Sequence, residues 1–356
     1  MLWFTAFPIF LLLISITNFF SIRRPDKDSE ITETVSVIIT LRNEAENVVD
    51  LVQSLLAQKS LNSVEFIFLD DDSQDQTLEL LRSSTARSAH ARVIQGAALP
   101  PGWIGKVWAL HQLMKCTTGE IIVSIDADVR IAPDAISRSI TLMKSASLQF
   151  ISPYPRQVAL SLGERLVQPL LQWSWMTTLP LRFAERAAFS SMAVANGQFF
   201  IVHRAALVAS GGYESVKAAV LDDVFLARAL AQTGSHGTVI NGANIAQCRM
   251  YSSWSQIQSG YGKSLRHAFG SPFGSIFAIA FLLMTGVLPL VFALLGSPWG
   301  VIAFTVIMCT RIISALRFHG RILDSLFHPI SSIVLIYLII YSYLKRGEIT
   351  WKGRAL

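Results

Sequence analysis

Apolar positions fall along this chain in three regimes. Leu2 to Ile22 is almost unbroken oil, Ser275 to Leu344 is nearly so, and short apolar runs alternate with mixed stretches between them. In that middle part Val35–Thr40 (VSVIIT), Val64–Leu69 (VEFIFL), Ala91–Ile94 and Glu120–Ile125 (EIIVSI) predict strands. They are short and β-branched, as strands buried in a parallel sheet tend to be. Glu44–Ala57, Asp75–Ser84 and Ile104–Lys115 place apolar residues at helical spacing, and residues 26–34 read as a polar linker. Strands alternating with helices predict an α/β fold, an open and mostly parallel sheet flanked by helices.

The first oily run is long enough to cross a bilayer core, which takes about 20 helical residues. It lacks a basic stretch ahead of it and a small-residue cleavage site, so residues 1–22 read as a retained transmembrane anchor. Arg23 and Arg24 follow at once and place that end in the cytoplasm. Residues 275–344 read as a C-terminal membrane region with segments Ser275–Leu295, Pro298–Leu316 and Pro329–Leu344, the last one short. Gly286 and Pro289 are tolerable in such a helix, and Arg311 is placed to snorkel. Residues 345–356 form a basic tail with Lys345, Arg346, Lys352 and Arg354. Three full crossings after the anchor would put that tail outside, against the charge rule, so one segment is expected to be re-entrant or interfacial. Segment 160–187 reads as interfacial, with Trp173 and Trp175 suited to the head-group zone.

Composition sharpens the picture. Apolar residues make up 52% and charged residues 15%, and the net charge is +6. Much of the basic excess flanks the oily runs, which points to anionic lipid rather than to nucleic acid. The globular part shows no basic cluster interleaved with aromatics. Cys116, Cys248 and Cys309 are too far apart for a zinc site and too few for a disulfide framework, so they are expected to be buried, reduced and structural. His111, His203, His236 and His267 lack ligand spacing and read as structural.

Chemistry gathers where predicted strands end, the place where open α/β sheets bind ligands. Thr40, Arg42, Asn43 and Glu44 end the first strand and open a helix, whose N-terminus favours anions; Asn43 as a helix cap would explain the same residues. Asp70, Asp71, Asp72 and Asp75 crowd the end of the second strand. Asp75 reads as a helix cap, whereas Asp70 and Asp71 read as binders of polar ligand atoms. Asp126 and Asp128 follow the strand EIIVSI, and alternate positions on an extended segment would aim both at one hard cation, Mg or Mn. Asp222 and Asp223 open a helical run. Acids there suit the helix dipole, and one of them is a candidate general base. Lys106, between a Pro-Pro-Gly turn and two tryptophans, is a candidate partner for a diphosphate.

The order strand then Arg-Asn-Glu, strand then Asp-Asp-x-Ser-x-Asp-x-Thr, strand then Asp-x-Asp, and an acidic pair before a helix resembles the family-2 glycosyltransferases of the GT-A fold. The likeness spans residues 35–270, expected to be a cytoplasmic catalytic domain of a multi-pass protein of the cytoplasmic membrane. LPPGWIGKVWAL, Asn196–Phe200 (NGQFF) and Ile349–Arg354 (ITWKGR) resemble membrane enzymes that glycosylate isoprenoid lipids, of the diaponeurosporenoate or hopanoid-associated type. The resemblance implies a nucleotide-sugar donor, a UDP-sugar, with base and ribose near Thr40, Asn43, Glu44 and Asp71. It implies metal and diphosphate at Asp126 and Asp128, and Asp223 as the base of an inverting transfer to a membrane lipid. Gln256-Ile-Gln258 stands where polymer-making members have Gln-x-x-Arg-Trp, which disfavours processive synthesis. Rival expectations are a polyprenyl-phosphate sugar transferase and a non-catalytic membrane scaffold with a nucleotide-binding domain.

Overall fold

The structure, a computed structural model, describes residues 2–187, 189–345, 350–351 and 354–355. Of the expected basic tail and the ITWKGR segment, residues 346–349, 352–353 and 356 lie outside those described. The chain divides into two compact units, one made of Arg23–Arg156 with Phe183–Cys248, the other of Met1–Ile22, Gln157–Arg182 and Arg249–Leu356.

The first unit is the α/β body. Its strands are β1 (Ile31–Leu41), β2 (Leu61–Asp70), β3 (Ala91–Gln95), β4 (Ile121–Ile125), β5 (Val129–Ile131) and β6 (Phe150–Tyr154). After the short β7 (Arg156–Gln157) come β8 (Phe199–His203), β9 (Gly237–Asn241) and β10 (Ala246–Cys248). Seven of them form one sheet in the order β3-β2-β1-β4-β8-β6-β9. Six run the same way and β8 alone runs against them, antiparallel to both β4 and β6. The interior strands bury consecutive side chains, Val37, Ile38 and Ile39 on β1 and Ile121, Ile122 and Val123 on β4, because both faces of the sheet are covered.

Strand β1 starts at Ile31, so residues 31–34 are not linker. Their polar side chains are engaged rather than solvated: Lys144 pairs with Glu33, and the Glu120 N–H donates to Thr34 Oγ1 at 3.0 Å. On one face helices α4 (Gly105–Cys116), α8 (Arg204–Ala209) and α9 (Asp222–Gln232) pack Leu110, Leu113, Leu207 and Leu230 onto Ile38, Ile67 and Phe200. Helices α2 (Ala45–Leu56), α3 (Thr77–Thr85) and α5 (Ala135–Ser145) complete the body.

The second unit is built around helices α1 (Leu2–Ser21), α6 (Leu162–Thr178), α10 (Trp254–Ala268) and α11 (Pro272–Leu282). With them are α12 (Leu288–Leu294), α13 (Pro298–Arg317) and α14 (His328–Leu344), while α7 (Leu181–Ala187) spans the division between units. Among the described residues four helical stretches are long and apolar enough to cross a membrane: Phe4–Ser21, Pro272–Leu294, Pro298–Arg317 and Ile322–Leu344. The last is longer than expected, because a 3₁₀ turn, Ile322–Phe327, extends α14 at its start. A π-helical turn, Leu283–Val287, joins α11 to α12 just ahead of Pro289. Gly286 lies in it because Ser332 approaches so closely that a Cβ there would meet its hydroxyl.

Two expectations about this unit are corrected. Trp173 and Trp175 do not face a head-group zone; they are 1% and 7% exposed. Trp173 Nε1 donates to Thr310 Oγ1 at 2.8 Å, and Trp175 meets Phe318 edge to face. Nor does Arg311 snorkel: it is buried, donates to the Pro169 carbonyl at 3.0 Å and lies over the Trp173 ring. Gln168 and Gln172 are buried along with the apolar face of α6. Asn18 of α1 clasps the end of that helix, donating to the Met176 and Leu179 carbonyls.

The sheet interior sets the stability of the α/β body. Ile67→Ala, at a fully buried position of β2, is expected to cost about 2–5 kcal/mol, read as a lowered thermal midpoint of the detergent-solubilised protein.

Candidate active site

The loops leaving β1 and β2 are stitched to each other. Asn43 N–H donates to Ser73 Oγ at 3.0 Å, Glu44 N–H to Thr77 Oγ1 at 2.8 Å, and Ala45 N–H to Asp75 Oδ2 at 3.2 Å. Asn43 therefore does not cap α2. Its carboxamide oxygen accepts from Gln74 N–H at 2.8 Å, and Asn43 and Asp72 both adopt positive φ to make the fit. Arg42 is buried and donates to the Asp71 and Asp72 carbonyls, so it binds the second loop to the first. Asp75 is a loop clasp: burial opposes its charge, but donors from Thr77 and Ala45 hold its carboxyl below the usual range. Asp70 ends β2 with Oδ2 accepting from Ser73 N–H, while its Oδ1 is buried without a hydrogen-bond partner.

The Asp-x-Asp triplet is a turn, not an extended segment. Val129 N–H reaches back to the Asp126 carbonyl at 3.1 Å, and β5 begins at once. Asp126 and Asp128 thus diverge from the strand geometry expected of them, with Asp126 at the rim and Asp128 Oδ1 buried without a partner among the described residues. Residues that the sequence did not single out brace this turn. Arg130 donates to the Ala127 carbonyl at 2.8 Å and to Asn47 Oδ1 at 2.9 Å, and Asn47 in turn donates to Glu44 Oε2 at 2.8 Å. Cys248 is opposite Val129 on β10 and accepts from Gln198 Nε2 at 3.0 Å. Of the three cysteines it alone is buried; Cys116 and Cys309 are partly exposed.

Because β8 runs backwards, it enters the sheet at the edge where the other strands leave. It brings Asn196–Gln198 to the same rim. Asp126 N–H donates to the Gln198 carbonyl at 3.0 Å, and Gly197 N–H donates to Asp223 Oδ2 at 2.6 Å. Val224 N–H holds the other oxygen of Asp223 at 2.8 Å. Gly197 passes so near that a Cβ would lie 3.3 Å from the Asp223 Cβ and 3.4 Å from Lys106 Nζ. The outcome is a cleft whose walls include Thr40, Lys106, Asp126, Tyr213, Asp222 and Asp223.

Lys106 is the cation of this cleft, with Nζ 2.7 Å from Asp126 Oδ1. It lies near the start of α4, after a turn in which Gly102 takes φ +80°. The flanking tryptophans cluster with His111 rather than with the ammonium: Trp103 and Trp108 lie 4.8 and 5.6 Å from its ring. Burial opposes the charge on Lys106, yet Asp126, Asp222 and Asp223 outweigh it and hold the pKa above the ordinary lysine value. Asp223 is pushed up to about 6 by burial and by Asp222, against the pull of Lys106 and its two backbone donors. Asp128 is pushed up to about 7 by burial, Asp126 and Glu44.

This donor set suits a hard divalent cation. Among the described residues no group of three His, Cys, Asp or Glu side chains is arranged to hold a metal, but Mg²⁺ and Mn²⁺ are commonly held by one or two carboxylates with substrate phosphates completing the shell. Asp128 offers a buried carboxylate oxygen with nothing bound to it, and its reluctance to ionise alone is what a bound cation would relieve.

Residues 36–208 match the family model for glycosyl transferase family 2. The chain is 27% identical over 270 residues to a 4,4'-diaponeurosporenoate glycosyltransferase of Staphylococcus haemolyticus, covering 73% of this chain and 68% of that protein. A beta-monoglucosyldiacylglycerol synthase of Trichormus variabilis is 30% identical over 111 residues, 31% of this chain and 23% of that protein. A mannosyltransferase from Pyrobaculum calidifontis, solved in complex with GDP-Man and Mn2+, shares the fold at a TM-score of 0.54 and 16% identity, covering 96% of this chain and 98% of that one.

Arg130 is the brace that joins the Asp126–Asp128 turn to the loop after β1. Arg130→Met is expected to lower stability by about 1–3 kcal/mol through the carbonyls it leaves unpaired. Cys248, now 1% exposed, should then react faster with a thiol reagent than in the unaltered protein.

Proposed function

This chain belongs with the family 2 glycosyltransferases, whose domain it carries over residues 36–208, and from that premise we propose that it moves a hexose from a UDP-sugar to the hydroxyl or carboxyl group of a membrane isoprenoid lipid, such as a carotenoid or hopanoid. The observation that carries the reading is the convergence of Thr40, Lys106, Asp126, Asp222 and Asp223 on one cleft at the carboxyl edge of the sheet. The diaponeurosporenoate relative supports an isoprenoid acceptor, four apolar helices among the described residues support a multi-pass membrane protein, and Arg23 and Arg24 after the first of them support a catalytic unit inside the cell.

In this reading the loops after β1 and β2, with Thr40, Asn43, Glu44, Asp70 and Asp71, hold the nucleoside, and Arg42 keeps the two loops in register. Asp126 and Asp128 hold a Mg or Mn ion, which when bound supplies positive charge against the leaving diphosphate. Lys106 donates to diphosphate oxygens. Asp223 takes the proton of an acceptor hydroxyl as that oxygen attacks the anomeric carbon; the bond from that carbon to the diphosphate breaks and the pair of electrons leaves with it. A single displacement inverts the centre. Asp222 keeps the Asp223 pKa near the working range of a base. A carboxylate acceptor arrives without that proton and needs less of Asp223.

Mass spectrometry of lipids from cells with and without the gene should reveal a lipid differing by one hexose; identical lipid profiles would count against the transfer. Asp223→Asn should retain UDP binding and lose transfer to a hydroxyl by about 10²–10⁴-fold. Because the base works ionised, the rate should climb as pH rises through about 6. Asp222→Asn should move that limb to lower pH, since it removes a charge that raises Asp223. A pH profile unmoved by Asp222→Asn would refute the assignment of Asp223.

A further inference from the structure

We propose that Lys106 is an internal placeholder for the metal, and that its release by the donor diphosphate makes metal and donor bind cooperatively. The proposal rests on the reading of Asp126 and Asp128 as the metal carboxylates. Lys106 Nζ sits 2.7 Å from Asp126 Oδ1, an oxygen that a cation shared with Asp128 would use. An ammonium and a divalent ion cannot both hold that oxygen at contact distance without strong repulsion. Nothing in α4 itself favours a cation there, because Lys106 is the second residue of the helix, at the end where the dipole disfavours positive charge. Carboxylates hold it, Asp126 in contact and Asp222 and Asp223 through charge at longer range.

A lysine stem is flexible, and Lys106 lines the open cleft that a donor would enter. A donor diphosphate entering this cleft offers anionic oxygens that can take the ammonium from Asp126. Each ligand then makes room for the other: diphosphate draws Lys106 away and frees Asp126 for the metal, and metal on Asp126 leaves Lys106 free for diphosphate. By linkage the two effects are equal in size.

The test measures Mn²⁺ affinity by electron paramagnetic resonance on the full-length, detergent-solubilised protein, with and without UDP. In the unaltered protein UDP should tighten Mn²⁺ binding by about 5–150-fold. Lys106→Met should bind Mn²⁺ alone more tightly than the unaltered protein, so that its gain from UDP shrinks to the part that phosphate oxygens on the metal supply. Lys106→Arg, which retains the charge, should keep the gain, and it provides a folded comparison should the methionine variant be unstable. If Lys106→Met binds Mn²⁺ alone no more tightly than the unaltered protein, the placeholder role is wrong while the metal site stands. If UDP and Mn²⁺ bind the unaltered protein independently, the coupling is wrong. If Mn²⁺ binds to no form with or without UDP, the metal reading itself fails and this proposal with it.

Discussion

Asp126, Asp222 and Asp223 line one recess, with Asp128 buried behind Asp126, and the repulsion among neighbouring carboxylates is the force against which the rest of the site is built. Burial and neighbouring charge push Asp128 and Asp223 toward neutrality. A single ammonium, Lys106, offsets several of the charges, and backbone N–H groups from Gly197 and Val224 fix the carboxylate of Asp223. Such an arrangement is unfavourable for the protein alone. It becomes favourable with ligands that bring compensating charge, which is why crowded acids at a strand edge indicate binding more strongly than any one of them does.

The apolar unit meets a related demand with different means. Buried Asn18, Trp173, Thr310 and Arg311 are each tied to a neighbouring helix by a directed hydrogen bond. Where solvent is scarce, polar side chains turned inward specify which helices adjoin. Arg165 and Asp324 add an ion pair between α6 and the turn ahead of α14.

Much of the α/β body could be read from the residues because its strands are buried on both faces and so appear as unbroken β-branched runs. The acids could be placed at strand ends for the same reason. What could not be read depends on pairing across the sheet. The polarity of Thr32, Glu33 and Thr34 hid the start of β1, since the partners of Glu33 and Thr34 lie more than eighty residues away. The reversal of β8 has no local signal, so Gly197 and Gln198 gave no hint that they border Asp223 and Asp126. Arg130 and Cys248 likewise looked ordinary until β5 and β10 paired. Trp173 and Arg311 misled because amphipathic residues near an oily run suit a membrane surface and a helix interface equally well.

The lone reversed strand also divides the rim into two inheritable halves. On one side, β1, β2 and β4 end in loops that are laced together and to the Asp126 turn, so a change in one must be matched in the others. On the other, the chain reaches the rim through the segment ahead of β8, meeting that lattice at the Gln198 carbonyl and Asp223 of α9 at the Gly197 amide. A lineage could therefore exchange the approach to β8 wholesale while the laced half of the rim stayed as it is. Grafting that segment between relatives is accordingly a sensible first move in redesign.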